Sequence, residues 1–207
     1  MRSDLFVTSP VLYRPAEETE APALEYLPSV FKRRLSQLCR MTIHAVHEIL
    51  VRNPALDKAK TKLVFASFRG ELGQEYKVNH TFATEHIVMP AAFSLSVYNA
   101  AIAQATIAFG LTGGYTAVYP QEGNFYSALA AAAAPLLCGD EKQLLFVFGD
   151  ECIAAPYKNV NLYGSSSADK KPFAFAMLLN AEQGERAINI QNCKGKSAEE
   201  FIQDLMQ

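Results

Sequence analysis

The chain has 207 residues, half of them hydrophobic and 19% charged, which is enough apolar material for a sizeable core in one domain or slightly more. A formal net charge of −2 gives no global support for a nucleic-acid partner. Cys39, Cys138, Cys152 and Cys193 are widely spaced with no C-x-x-C, no signal-like segment opens the chain, and the apolar run Ala128–Leu137 is too short to span a bilayer. A reduced, cytoplasmic setting without a membrane span is therefore expected.

Residues 1–28 carry four prolines and the acidic cluster Glu17-Glu18-Thr19-Glu20, and read as an irregular arm with room for a strand at Leu5–Thr8. Residues 29–207 read as a single domain. From Val30 to Leu50 the positions Leu35, Leu38, Cys39, Thr42, Val46, Ile49 and Leu50 follow a 3.6-residue period, predicting a helix stopped near Asn53-Pro54. Leu63–Phe68 predicts a buried strand ending at Arg69-Gly70, and Phe93–Phe109 an almost wholly apolar helix closed by Gly110. Tyr115–Tyr119 predicts a short strand running into the turn Pro120-Gln121-Glu122-Gly123, with an alanine-rich helix after it to Leu137. Gln143–Phe148 is the next buried strand. After a polar loop, Phe173–Leu179 and Ala187–Gln191 read as strands of a hairpin around Gln183-Gly184. Ser197, with Glu200 three residues on, predicts a capping box at the start of a last helix through Leu205. Strands alternating with helices imply an α/β fold with a mostly parallel sheet.

Strand, tight elbow and helix in that order are the arrangement that lifts a nucleophile above a sheet at a helix N-terminus. Here the apex offers Gln121 and Glu122 and no Ser, Thr or Cys. Other chemistry is thin. His44 and His47 have a spacing that can bind metal, but no carboxylate or thiol joins them, since Glu48 falls on another face, so they read as solvated or core histidines. A triad of His80 or His86 with Cys152 is the remaining nucleophilic arrangement. Cys39 and Cys138 fall inside helical patterns as small core residues. Gly110-Leu111-Thr112-Gly113-Gly114 follows a helix and precedes a strand, the reverse of a phosphate-cradling loop, so it reads as a helix end.

From Pro90 to Glu151 the order of elements resembles the N-terminal half of a β-ketoacyl synthase, a thiolase-like fold. The matching pieces are Val97-Tyr98-Asn99, Phe109-Gly110-Leu111-Thr112-Gly113, Tyr115–Tyr119, Pro120-Gln121-Glu122 and Phe146-Val147-Phe148-Gly149-Asp150-Glu151. Arg33-Arg34-Leu35-Ser36, Phe65–Glu71 and Phe173–Leu179 extend the resemblance over roughly residues 5–192. The position matching the catalytic Cys is Glu122, or Gln121 if the register slips by one. The half of the family fold that supplies the His and Lys of condensation has no room in this chain. Glu122 cannot carry an acyl thioester, and its charge at a helix N-terminus would either cap the helix or order a relic of the site.

A nucleophile-free, half-length member is similar to the chain-length-factor-like subunits of aryl polyene and type II polyketide synthases. That resemblance implies a non-catalytic partner that heterodimerises with an active β-ketoacyl synthase and shapes its acyl tunnel, meeting acyl carrier protein indirectly and using no cofactor and no metal. It implies tunnel residues Phe93, Ser96, Val97, Tyr98 and Ile102. It further implies a dimer interface at Asn99, Tyr115, Thr116, Ala117, Val118 and Tyr119, with the strand at a sheet edge. Lys32, Arg33, Arg34 and Arg40 form a basic cluster that could dock an acidic carrier protein, or simply be a solvated helix end. The alternatives are a decarboxylase of malonyl-carrier protein working through Gln121, and a homodimeric acyl-ligand-binding protein.

Overall fold

The computed structural model of the chain describes residues 4–121, 124–153, 155–157 and 171–207. Its strands are β1 (Asp4–Tyr13), β2 (Lys62–Ala66), β3 (Tyr115–Val118), β4 (Gln143–Asp150), β5 (Phe173–Asn180) and β6 (Arg186–Asn189). Its helices are α1 (Ser29–Lys32), α2 (Gln37–Arg52), α3 (Leu72–Glu85), α4 (Pro90–Phe93), α5 (Ala100–Phe109), α6 (Phe125–Cys138) and α7 (Ala198–Met206). The six strands form one sheet in the order β3-β2-β4-β5-β1-β6. β1, β2, β3 and β4 run one way, β5 and β6 the other.

Alternation along the strands explains the three layers. On β4, Leu144, Phe146 and Phe148 face one side while Leu145 and Val147 face the other; on β5, Phe175, Met177 and Leu179 oppose Ala174, Ala176 and Leu178. The first face packs on α6 and α7 through Phe125, Ala128, Leu129, Phe201 and Ile202. The second packs on α2 and α5 through Leu38, Met41, Ile43, Ile49, Ala101 and Ile102. Central strands buried on both faces need continuous apolar runs, which is what QLLFVFGD and FAFAMLLN supply. No helix among the described residues is long and apolar enough to cross a membrane.

Several expectations change. The first 28 residues are not merely an irregular arm, because β1 spans ten of them inside the sheet, between β5 and β6. Ser9-Pro10 looked like a strand end but is a bulge: Thr8 pairs with Leu178 and Val11 with Ala176, so β1 has one extra residue there. Ser9 takes φ +52 and donates its N–H to Glu185 Oε2. The extra residue reverses the alternation, which is why Leu5 and Val7 join one core and Val11 the other. The expected hairpin of the last two strands does not form, because β1 lies between β5 and β6. The connection crosses β1 at Gly184, where a Cβ would sit 2.7 Å from Phe6 Cβ and 2.9 Å from Thr8 Oγ1.

The helix expected over Val30–Leu50 starts at Gln37, where Ser36 accepts a cap bond from the Cys39 N–H. The helix expected over Phe93–Phe109 is a short turn, α4, then α5 beginning at Ala100. Between them the chain tightens into i→i−3 bonds, Leu95 N–H to Ala92 O and Ser96 N–H to Phe93 O. Ser94 and Ser96 hydroxyls also donate to backbone carbonyls three residues back. Helix α3 had no apolar period to announce it, and none of its residues is buried. The capping box at Ser197 and Glu200 is present in full. Cys39 is buried as expected, whereas Cys138 at the last turn of α6 is exposed.

Candidate functional site

The edge strand β3 leads to the elbow. Pro120 is buried and Gln121 is exposed; Glu122, the position matching the nucleophile, and Gly123 lie outside the described residues. Asn124 caps α6, its side chain accepting from the Ser127 N–H at 3.2 Å, so the capping role considered for Glu122 is filled by Asn124. β3 pairs only with β2 among the described residues. The Leu63 N–H donates to Gly114 O at 3.0 Å, which in a parallel register turns the amide and carbonyl groups of Thr116 and Val118 toward β2. Those of Tyr115 and Ala117 therefore point outward along the open edge.

Tyr98 ties this edge to the sheet. Its hydroxyl accepts from the Ser67 N–H at 2.8 Å and offers its single proton to Ser67 O at 2.7 Å or Val118 O at 2.6 Å. It therefore joins the C-terminal ends of β2 and β3. Its ring lies over Gly70, where a Cβ would come within 2.6 Å and where φ is +58. Only glycine fits that turn. Asn99 Nδ2 donates to the Tyr115 hydroxyl at 2.8 Å, bringing two of the expected interface residues together.

The five expected tunnel residues do not share one surface. Ile102 is wholly buried in the α2–α5 core, Phe93 and Val97 are 57% and 41% exposed, and Tyr98 is the clamp just described. Phe93 and Val97 fall instead in a stretch of exposed apolar residues with Phe82, Ile87, Val88 and Met89, from the end of α3 to just past α4, which forms the apolar lobe of the chain. Of the basic cluster, Arg33 and Arg34 are exposed, and Lys32 is half-buried. Arg40 is committed to the fold: its guanidinium donates to Pro22 O at 2.9 Å and Lys32 O at 3.3 Å.

The histidines take structural positions. His47 stacks on Tyr26 at 3.7 Å, and its Nδ1 lies 3.6 Å from Glu48 Oε1, so Glu48 does adjoin it, contrary to the face expected. His44 meets Tyr13 edge-on, and burial lowers its pKa. No group of three His, Cys, Asp or Glu among the described residues could hold a metal ion. His80 and His86 are exposed along α3, whose first turn meets Glu151, the neighbour of Cys152. They stand about 10 and 20 Å further along the helix axis, so no triad forms.

A polar site that the sequence reading did not single out lies where β2 and β4 end side by side. Asp150 Oδ1 accepts from Ser67 Oγ at 2.7 Å and from the Phe68 and Arg69 N–H groups at 3.0 Å. Arg69 Nη1 donates to Glu151 O at 2.6 Å, and Glu151 Oε1 accepts from the Gly73 N–H at 2.7 Å. Glu71 Oε1 accepts from Cys39 Sγ at 3.2 Å, while its Oε2 is buried without a partner. Burial pushes Glu71 up to about 7. Burial, and then the charge of Glu71, push Glu151 up to about 8. Burial also raises the Cys39 thiol, which keeps it a donor. The signal was available: Arg69 and Glu71 lie just past the end of β2, and Asp150 and Glu151 at the end of β4, two strands with apolar centres whose ends carry charged side chains into the core.

A sequence model of the family described as "Beta-ketoacyl synthase, N-terminal domain" matches residues 9–204. A search of curated protein sequences found no match. Among solved structures, the chain is similar to one titled as a ketosynthase (ApeO) in complex with its chain length factor (ApeC) from Xenorhabdus doucetiae. The identity is 23% and the TM-score 0.71, over 86% of this chain and 79% of that one. The ishigamide ketosynthase/chain length factor matches at 18% identity and TM-score 0.57, over 77% of this chain and 47% of that one. AntDE:AntF, titled as a type II PKS acyl-carrier protein in complex with its ketosynthase, matches at 16% identity and TM-score 0.64, over 86% and 63%. At these identities the likeness establishes a shared, thiolase-like ketosynthase fold. The chain spans about half the length of the ishigamide relative.

Proposed function

This chain belongs to the beta-ketoacyl synthase N-terminal-domain family, and we propose that it is a non-catalytic, chain-length-factor-like partner of an active β-ketoacyl synthase in polyketide or polyene biosynthesis. The observation that carries the reading is the open edge of β3, which among the described residues pairs only with β2 and turns the backbone groups of Tyr115 and Ala117 outward, together with the exposed apolar residues between 82 and 97. An edge strand with exposed apolar neighbours is a template for pairing with another chain. The elbow sequence Pro120-Gln121-Glu122-Gly123 adds that no Ser, Thr or Cys stands where an acyl group would be carried. The fold shared with a ketosynthase–chain length factor complex supports the same assignment.

In this reading Phe93 and Val97 project toward the partner and border its acyl tunnel. Tyr98 and Ile102 act by holding the edge and the α5 core. Arg33 and Arg34 are the cations left to meet an acidic carrier protein, in a cytoplasmic complex.

The test is co-expression with the cognate ketosynthase and measurement of a one-to-one complex. Ala117→Pro removes one outward N–H without touching the β2 ladder, a substitution that edge strands tolerate. It should leave the fold intact and weaken the complex about tenfold, the value of one lost hydrogen bond in a paired sheet. Unchanged affinity would rule out edge pairing. A discrete homodimer that ignores the synthase would point to self-association instead.

A further inference from the structure

Helix α3 is the stem of the apolar lobe, yet it buries none of its own residues. Its anchorage lies at its first turn. Glu71 is its N-cap residue and accepts from Cys39 of α2; the Gly73 N–H donates to Glu151 at the end of β4. Beyond these, Tyr76 meets Tyr157 edge-on at 5.7 Å. Two carboxyls therefore fasten the foot of α3, Glu71 to α2 and Glu151 to the end of β4, and both are nearly inaccessible, at 2% and 5% exposure.

The charges around them do not balance. Among the described residues Arg69 is the buried cation, and it faces Asp150 as well, whose Oδ1 already takes three donors. From α2 come only the Ser36 hydroxyl and the Cys39 thiol, and from α3 only the more distant charge of Lys77. Three buried carboxyls against one guanidinium cannot all be ionised without a large desolvation penalty. Glu71 Oε2 is already buried with no donor.

We propose that Glu71 and Glu151 form a proton-held latch at the foot of α3, which keeps the apolar lobe docked while protons are bound and loosens it as both carboxyls ionise. As regulation of the partner surface, the latch rests on the reading of that surface given above; as a device, it is a property of the isolated chain. In the open, hydrated state both carboxyls return toward the ordinary value of 4.5, whereas closed they sit at about 7 and about 8. The closed state binds more protons between those limits. Closure is thus strongest below pH 4.5, weakens steadily as pH rises, and levels off above about 8.

The experiment is hydrogen exchange of the full-length chain between pH 5 and 8.5, with exposure times scaled to the intrinsic exchange rate and α2 as internal reference. Amides of residues 73–85 should lose protection about tenfold per pH unit for each ionising carboxyl, while α2 does not follow. The double variant Glu71→Gln/Glu151→Gln keeps the acceptors and cannot titrate, so its α3 protection should be flat. Flat protection in the native chain, or an unchanged slope in the double variant, overturns the latch. If the double variant does not fold, carboxyl carbon NMR of the native chain decides: midpoints for both residues above pH 6 sustain the latch, and midpoints near the ordinary glutamate value sink it. Since none of this involves a synthase, a latch that titrates beside a complex that never forms would refute the partner reading alone.

Discussion

Helices α2 and α3 flank the same strand, β2, one before it and one after, and they are held by different physics. α2 buries Leu38, Met41, Ile43, Val46 and Ile49 against α5 and the sheet. α3 buries no side chain and is fixed at its first turn by two hydrogen bonds, one that its N-cap Glu71 accepts from Cys39 and one that the Gly73 N–H donates to Glu151. Packing of that kind is dispersed over many contacts, so no single bond decides it. A polar tether is concentrated, direction-dependent and sensitive to protonation. An element meant to stay in place is built the first way, and one that presents a surface to a partner can be built the second.

The contrast is broken most severely from the α2 side. Ile49→Ala leaves a cavity at a fully buried position and should lower the unfolding free energy by about 2–5 kcal/mol, read by denaturant titration. A loss below about 1 kcal/mol would mean that the α2–α5 layer relaxes around the void, and the division between the helices would be less sharp than drawn.

Next in size is Tyr98→Phe, which keeps the ring over Gly70 and deletes the hydroxyl joining Ser67 to Val118. The loss should be about 1–2 kcal/mol, with increased exchange confined to β3 and the end of β2. Tyr98→Ala would confound this with lost packing. A change in synthase product with an unaltered exchange pattern would instead assign Tyr98 to the tunnel.

Smaller still is Ser36→Ala. It removes the cap acceptor of the Cys39 N–H and should cost about 1 kcal/mol. Burial raises the Glu71 pKa, and the same hydroxyl beside it offsets part of that rise. The variant should therefore also move the Glu71 titration upward, coupling the two helices through one side chain. A normal Glu71 titration with full cap loss would show the cap acting on α2 alone.

The same contrast decides what could be read from the residues alone. α2, β2, β4, β5 and α7 carry periodic or continuous apolar runs, and their period follows directly from which face is buried. The edge position of β3 came through resemblance and is borne out by the sheet order. α3 was missed because Leu72–Glu85 has no buried face to impose a period. β1 was cut short because Ser9-Pro10 is a stop signal in most contexts and here is a bulge, a choice made by pairing with β5 far along the chain. The β5–β6 hairpin failed for the same reason, since only tertiary pairing puts β1 between them. At the site, Gln121 and the edge were visible, but the acid cluster depends on Cys39, Glu71 and Glu151 meeting across large sequence separations. Ile102 lies on the expected helix but on the face packed into the core with α2.

The smallest expected effect on stability is the most informative about the lobe. Phe82 is 55% exposed and Met89 60%, and neither joins a buried cluster. Substituting both by serine removes little apolar area from the folded chain, so the unfolding free energy should stay within about 0.5 kcal/mol of the native value. Solubility should rise, because exposed apolar surface is reduced. If the lobe is a docking surface held out on a tether, affinity for the synthase should nevertheless fall well beyond what stability predicts, since apolar anchors at an interface centre dominate binding. A loss of more than about 1 kcal/mol in the isolated chain would mean the opposite: the lobe packs on its own protein in solution, and α3 belongs with α2 as a core helix.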